Sequence, residues 1–252
     1  MKPIEELKLL IVRARAFDAR YDLPIPEHTK WFSAPLGIAL IQVTVTSVTD
    51  DSYPDPLEFD GIIISGSTHS AYEQKPWMPA LEDFIRLAAR KEVAMLGICF
   101  GHQIIAKAFG GLVELGGHGA EFGATPVYLT QRGTADPLFE HVPENFEIVM
   151  VHEDIVVDPP IYPGFHVLSS SDMYTMQACA YGDNIRSLQF HPEYSSDILE
   201  MLVARYHDLV LTHGWVDGPK DIPIILERTR DADVNKPGRQ ILMNFRENFM
   251  RT

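Results

Sequence analysis

The chain has 252 residues, 46% of them hydrophobic, and its 35 Asp and Glu outnumber 21 Lys and Arg to give a formal net charge of −14. This composition is typical of a globular protein rather than of a tail or fibre. Nucleic acids and anionic membranes attract clustered Lys and Arg, so the acidic balance argues against both as partners. At roughly 100–200 residues per domain, we predict one large domain.

The two cysteines, Cys99 and Cys179, are not spaced as a CxxC motif and cannot form a multi-bridge framework. A reducing compartment fits this usage. Charges at Glu5, Glu6 and Lys8 interrupt the N-terminal apolar stretch, which is unlike a signal peptide. No window reaches the roughly 18 consecutive apolar residues of a membrane span. We therefore expect a soluble, cytoplasmic protein.

The first half alternates short apolar runs with helical segments, which predicts parallel strands at residues 7–12, 38–48, 61–65 and 93–98. The third run is β-branched and almost continuously apolar, as in a strand covered on both faces. Residues 79–91 place apolar side chains at helical spacing. The predicted fold class is therefore α/β, with a mostly parallel central sheet flanked by helices.

The second half contains shorter apolar runs separated by turn residues, at 122–129, 146–157, 165–169, 176–181 and 185–190. We interpret these as antiparallel strands that either extend the same sheet or form a small second one. Residues 196–213 predict an amphipathic helix with Ser196 as a possible cap. Residues 215–238, rich in Asp, Pro and Gly, predict irregular structure, and 239–250 a last short helix.

The segment Gly97-Ile-Cys99-Phe-Gly101 follows a predicted buried strand and precedes a predicted helix. This is the spacing of a nucleophile elbow with Cys in place of Ser. The glycines permit a sharp turn, and the start of the helix favours a thiolate through its unpaired N–H groups and dipole. A lone Cys is more often a core residue, but this setting favours a nucleophile; Cys179 lies in a strand pattern and is assigned to packing.

A thiolate nucleophile needs a base, and the base needs an orienting group. The candidate base is His191, in Gln189-Phe-His-Pro-Glu193, where Pro192 prevents the strand from continuing. Glu193 can orient the imidazole if the turn folds back. A histidine at a strand end is often only structural, but its neighbours favour a Cys–His–Glu triad.

The two motifs together, Gly97-x-Cys-x-Gly-His-Gln103 and Gln189-Phe-His-Pro-Glu193, resemble those of the class I glutamine amidotransferases. The resemblance covers about residues 7–212 and leaves 213–252 as a C-terminal extension of the single domain 1–252. It implies a flavodoxin-like sheet and a triad that hydrolyses the side-chain amide of glutamine. No metal or other cofactor is implied, and no metal-ligand or dinucleotide motif occurs.

Family position also implies an oxyanion site made by the backbone N–H groups of Ser67 and Phe100. The family's loop usually reads Ser-Gly-Gly-Pro-Gly-Ser, whereas this chain has Ser65-Gly-Ser-Thr-His-Ser70. Ser67 can therefore present its N–H to the oxyanion only if a serine tolerates the φ angle required there. The resemblance further implies that the glutamyl group is held by four residues: Gly66, Gln103, His152 and Asp154. A structural role for His152 and Asp154 is the alternative.

The Gly-Ser-x-His loop and the chain length resemble the γ-glutamyl peptidases and related fungal and plant amidotransferase-like proteins. This implies a standalone cysteine hydrolase acting on γ-glutamyl amide or peptide bonds of small molecules, such as glutamine, glutathione or its conjugates. One alternative is a glutaminase subunit that delivers ammonia to a separate synthase partner. Another is a non-catalytic binding protein on this fold. A homo-oligomer is compatible with each of these.

Overall fold

A mixed nine-stranded sheet forms the centre of the computed structural model, which describes residues 2–14, 24–50 and 52–250. A two-stranded sheet lies beside it. The strands of both sheets are β1 (Leu9–Arg13), β2 (Val43–Ser47), β3 (Gly61–Ile64), β4 (Ala94–Ile98), β5 (Leu112–Leu115), β6 (Glu121–Leu129), β7 (Asn145–His152), β8 (Asp154–Asp158), β9 (Phe165–Ser170), β10 (Ala178–Tyr181) and β11 (Ile185–Leu188).

The strand order in the large sheet is β2-β1-β3-β4-β11-β10-β9-β6-β7. The pairings from β2 through β11 are parallel, and those from β11 to β7 are antiparallel. Strands β5 and β8 pair antiparallel in the small sheet. The prediction of a mostly parallel core with antiparallel additions is confirmed. Antiparallel strands of the second half extend the large sheet, and β8 also forms part of a small second sheet, so both of the predicted arrangements occur.

Helices cover both faces of the large sheet, and most of them follow amphipathic segments of the sequence. They are α1 (Ile25–Leu36), α2 (Met78–Arg90), α3 (Phe100–Ala108), α4 (Gln131–Thr134), α5 (Ser196–Arg205), α6 (His207–Thr212), α7 (Asp221–Asp231) and α8 (Asn235–Asn248). Alternate side chains of β1 point to opposite faces, so Leu9 and Ile11 pack with α1 and α8, while Leu10 and Val12 pack with α2 and α3. None of the helices within these described ranges is long and apolar enough to cross a membrane.

Two expectations for the second half are corrected by the structure. The run at 146–157 is not one strand, because it turns between His152 and Asp154 and contributes to both sheets. The helix predicted at 196–213 is divided at Tyr206, whose backbone angles, φ −112° and ψ 24°, are not helical. Its cap is Ser195 rather than Ser196, since Ser195 Oγ accepts the hydrogen bond from Ile198 N.

The expectation of irregular structure across 215–238 is also wrong, because α7 lies within it. Pro223 falls in the first turn of α7, where a missing N–H costs nothing. The Thr229 side chain is fully buried, and its Oγ1 accepts a hydrogen bond from Ala124 N on β6. Tertiary packing of one helix face therefore outweighed a composition that favours turns.

The final helix, α8, belongs to the main core rather than lying on its surface. Ile241, Leu242 and Phe245 are fully buried and pack in the same cluster as Leu9 and Ile11 of β1. The side chain of Asn244 donates to the backbone carbonyls of Leu138 and Glu140. Residues near the end of the chain therefore help to form the central core.

Replacing Phe245 with Ala should lower the free energy of unfolding by about 3–5 kcal/mol, because the substitution leaves a cavity in the main core. Urea denaturation would measure the change. Ile224→Ala, on the neighbouring helix α7 at a side chain that is 64% exposed, is the control and should change the stability by less than about 0.5 kcal/mol. A Phe245→Ala variant as stable as this control would contradict a core role for α8.

Candidate active site

The backbone at Cys99 adopts a strained conformation between β4 and α3. Its φ of 52° and ψ of −106° lie in a region that non-glycine residues rarely occupy. The neighbouring Gly101 leaves no room for a larger residue, because a Cβ there would lie 2.2 Å from the carbonyl oxygen of Ile64. Strand β3 and helix α3 therefore pack closely at Gly101. The sharp turn between β4 and α3 is the one that the glycine spacing predicted.

The elbow places Cys99 in the lining of a cavity. Cys99 N donates to Leu188 O over 2.7 Å, and Sγ lies 3.7 Å from the carbonyl oxygen of Val151. The first turn of α3 presents N–H groups that have no acceptor within the helix. By contrast, Cys179 lies fully buried in β10, and burial raises the pKa of its thiol. Its position agrees with the packing role predicted for it.

His191 and Glu193 follow β11, the strand that pairs with β4. His191 Nδ1 lies 2.8 Å from Glu193 Oε1, and both side chains are buried. The ring also lies close to Cys99, because His191 Cε1 and Cys99 Cβ both face the same side of Gly66. Tyr194 stacks on the imidazole with ring centroids 4.1 Å apart and planes within 5°. The structure thus brings the three residues of the predicted triad together.

The charge state of His191 results from opposing effects. Burial lowers its pKa, but the charges of Glu193 and Cys99 and the hydrogen bonds to both outweigh this effect and raise the pKa from 6.5 to about 10. The imidazole therefore holds its proton at neutral pH, next to the sulfur that it would serve.

Gly66, in the loop after β3, lies against the same two side chains, and Ser67 follows it in the cavity lining. A Cβ on Gly66 would lie 3.1 Å from His191 Cε1 and 3.5 Å from the Cβ of Cys99, so a larger residue would press on the imidazole. Within the described chain, the non-glycine residues with positive φ do not include Ser67. The serine therefore replaces the family's glycine without left-handed strain. The N–H of Phe100 begins α3 directly after the sulfur-bearing residue.

The other predicted binding residues also line the cavity, and their side chains lie close to other polar groups. Gln103 Nε2 donates to Asp154 O at 3.0 Å and to Gln189 Oε1 at 3.2 Å. His152 Nε2 lies 3.0 Å from Glu121 Oε2, and both of these side chains are buried. These contacts hold the turn between β7 and β8 in place beside Cys99.

The sequence did not predict the side-chain contacts that Tyr72 and Glu121 make. The hydroxyl of Tyr72 donates to Asp154 Oδ1 at 3.0 Å, linking the loop after β3 to the start of β8. Glu121 Oε2 accepts a 2.5 Å hydrogen bond from Gln177 Nε2 in addition to facing His152. No spacing in the sequence could have paired residues so far apart, since strand order alone brings them together.

The cavity has a volume of about 130 Å³ and two unlike sides. Its polar side carries Cys99, His191 and Glu193 with the loop at 66–70 and the turn at 151–154. Its other side is mostly apolar and comes from α5, α6 and neighbouring residues. The polar side combines a thiol, an oriented imidazole and backbone N–H groups. Acyl transfer needs these three kinds of group as nucleophile, base and oxyanion donors.

Comparison with known proteins identifies the family of the chain. Residues 33–214 match the family model of the class I glutamine amidotransferases. The chain belongs to that family.

Two relatives illustrate the range of the family. The chain is 33% identical over 163 residues to γ-glutamyl peptidase 4 of Arabidopsis thaliana, a match that covers 63% of this chain and 64% of that protein. It is 32% identical over 178 residues to one subunit of the glutamine-hydrolysing GMP synthase of Sulfolobus acidocaldarius, covering 70% of this chain and 86% of that protein. The match therefore spans just under two thirds of the plant relative's length.

Solved structures agree on the fold. A glutamine amidotransferase from Thermotoga maritima superimposes with a TM-score of 0.74 at 21% identity, covering 95% of this chain and 98% of that one. A glutamine amidotransferase from Methylobacillus flagellatus also has a TM-score of 0.74, at 22% identity, with coverage of 97% and 96%. At this level of identity the likeness extends to the architecture alone.

Replacing Gly101 with Ala should destabilise the protein by about 1–3 kcal/mol, because the new methyl group would push α3 away from the Ile64 carbonyl. Thermal or urea unfolding would measure the loss. The matched control is Gly117→Ala, where a Cβ meets no atom within 4 Å. Equal stability of the two variants would argue against close packing at the elbow.

The imidazole of His191 should remain protonated until the pH approaches about 10. Replacing Glu193 with Gln or Cys99 with Ala removes a charge that raises this pKa, so each variant should lose the proton at a lower pH. NMR titration of ¹⁵N-labelled histidine would follow the ring nitrogens. A wild-type ring that titrates near 6.5 would contradict the proposed charge pairing.

Proposed function

We propose that the protein is a cysteine hydrolase that cleaves γ-glutamyl amide or peptide bonds through a γ-glutamyl thioester. The observation that carries the proposal is that Cys99 and His191 lie against the same glycine, Gly66, in the lining of one cavity, with His191 Nδ1 2.8 Å from Glu193 Oε1. The geometry fits a nucleophile, a base and an orienting carboxylate in these roles.

In the first half of the reaction, the thiolate of Cys99 attacks the γ-carbonyl carbon of the substrate. The negative charge that forms on the carbonyl oxygen is stabilised by the backbone N–H groups of Ser67 and Phe100. The protonated His191 then gives its proton to the departing nitrogen. The C–N bond breaks, an amine or ammonia leaves, and the γ-glutamyl group remains as a thioester on the sulfur.

In the second half, water replaces the amine. His191, now neutral, takes a proton from water as the oxygen attacks the thioester carbon. The C–S bond then breaks, so that Cys99 leaves as the thiolate and His191 keeps the proton, as at the start of the cycle. Glu193 keeps Nδ1 of the ring protonated, so that the other nitrogen faces the sulfur throughout. Glutamate is released without the participation of any group from outside the chain and its substrate.

Four residues are proposed to form the binding site for the γ-glutamyl group, three of them directly and His152 through the turn that it supports. Gly66, Gln103 and Asp154 all line the cavity. In the proposed mode Gly66 contributes backbone at the reacting carbonyl, and Gln103 and the acidic Asp154 bind the α-carboxylate and α-ammonium ends. His152, paired with Glu121, holds the turn that carries Asp154. A small-molecule substrate fits a cavity of this size better than a protein segment does.

Two family activities remain distinct candidates. Likeness to the γ-glutamyl peptidases favours an amine leaving group, as in glutathione or its conjugates. Likeness to the GMP synthase component supports the second candidate, a glutaminase subunit that passes ammonia to a synthase partner. Both use the same acyl chemistry and differ only in the leaving group and its fate.

Replacing Cys99 with Ala should abolish glutamate release from γ-glutamyl substrates, because no other group can form the thioester. Glu193→Gln should reduce the rate by about 10²–10⁴-fold, since the imidazole loses its orienting partner. Coupled assay of free glutamate with glutamine, glutathione and an S-substituted glutathione, side by side, measures both effects and ranks the leaving groups.

The control is Cys179→Ala, which removes the other thiol and should retain activity. A covalent γ-glutamyl adduct on Cys99, seen by mass spectrometry after acid quench, would support the thioester. Undiminished activity of Cys99→Ala would refute the mechanism. Glutamine hydrolysis that is slow alone and rises with a copurified synthase would favour the second candidate.

A further inference from the structure

One side of the cavity beside Cys99 is formed by six side chains, here called the apolar wall: Leu199, Leu202, Val203, Tyr206, Leu209 and Val210. We propose that the apolar wall is a subsite for the amine half of the substrate and selects γ-glutamyl amides of uncharged, apolar amines. This inference rests on the proposed hydrolase function and adds the chemical class of the leaving group.

The apolar wall comes from helices that pack apart from the main core. Side chains of α5, α6 and α7 form their own clusters around Ala124 of β6 and Val149 of β7, separate from the cluster that holds β1 and α8. Two contacts join these helices to the sheet and to one another: Thr229 Oγ1 of α7 accepts a hydrogen bond from the backbone of β6, and Arg230 of α7 pairs with Glu200 of α5. The apolar wall is therefore a structured part of the cavity lining.

The apolar wall lies on the side where the amine leaves. His191 supplies the proton to the departing nitrogen, so the amine half must extend from the reacting carbon toward this ring. Tyr194 stacks on His191 and packs with the apolar clusters of α5 and α6. A continuous surface therefore runs from the proton donor to Leu202 and Tyr206.

The size of the cavity limits which amines fit. Its volume of about 130 Å³ cannot enclose a whole γ-glutamyl amide, so only the atoms nearest the scissile bond are held inside and larger groups extend outward. For comparison, an apolar cavity of about 150 Å³ accepts a benzene molecule. Ammonia, which is released from glutamine, has no carbon atoms that could contact the apolar wall.

A homologous series of γ-glutamyl alkylamides, from methylamide to butylamide, tests the proposal. If each added methylene is buried against the apolar wall, kcat/KM should rise up to about fourfold per carbon until the cavity is full. Affinities of the same series for the Cys99→Ala variant, measured by calorimetry, should rise by a similar factor. A flat or falling series in both measurements would overturn the proposal.

A pair of variants on one helix locates the effect. Leu209 and Leu211 both lie on α6 and are both partly buried, but only Leu209 of these two lines the cavity. Leu209→Gln should reduce the ratio of butylamide to methylamide in kcat/KM several-fold, whereas Leu211→Gln should leave that ratio unchanged. Equal ratios in the wild type and Leu209→Gln would contradict a subsite at the wall.

The outcomes separate the two proposals. If the wild type hydrolyses none of the amides, including glutamine, the proposed hydrolase function fails, and the affinity series for Cys99→Ala still decides whether the apolar wall binds alkyl groups. If the wild type cleaves all of them equally well and the affinities are equal, the hydrolase stands and the subsite does not.

Discussion

The backbone hydrogen bond from Cys99 N to Leu188 O, 2.7 Å long, joins the carboxyl ends of β4 and β11 where both strands leave the sheet. On one side of this bond the chain turns into α3 through the strained backbone of Cys99, and on the other it continues toward His191. The parallel pairing of β3, β4 and β11 therefore places three loops at one edge of the sheet. Each loop contributes a different chemical group: backbone N–H donors, a thiol and an imidazole.

The strain at Cys99 persists because its surroundings tolerate no alternative. A non-glycine residue at this backbone conformation costs about 1–3 kcal/mol, which tight packing of β3 against α3 at Gly101 must offset. The His191 loop is supported in a similar way, since its backbone N–H bonds to Val149 of β7 and its ring is covered by Tyr194. The sheet and the helices packed on it therefore hold these groups in fixed positions, as the proposed mechanism requires.

Much of the architecture could be predicted from local patterns. Continuous apolar runs mark β1, β3 and β4 because parallel strands are buried on both faces, and the helical spacing at 79–91 marks α2. The same reasoning failed for α7, whose Asp and Pro residues suggest a turn although one face is buried on β6. It also read 146–157 as one strand, because nothing in the local pattern reveals that the chain changes sheet at this turn.

By itself, the sequence determined the elbow at Cys99 and the His191–Glu193 turn, because glycine spacing and a proline after a strand are local constraints on the backbone. It also set the acidic balance and the class of fold. The tertiary structure alone decided that these motifs meet, that Tyr72 reaches Asp154, and that α5 and α6 provide an apolar side to the cavity. The physical reason is that strand order and helix packing are determined by the burial of distant surfaces against one another, which no short stretch of sequence encodes.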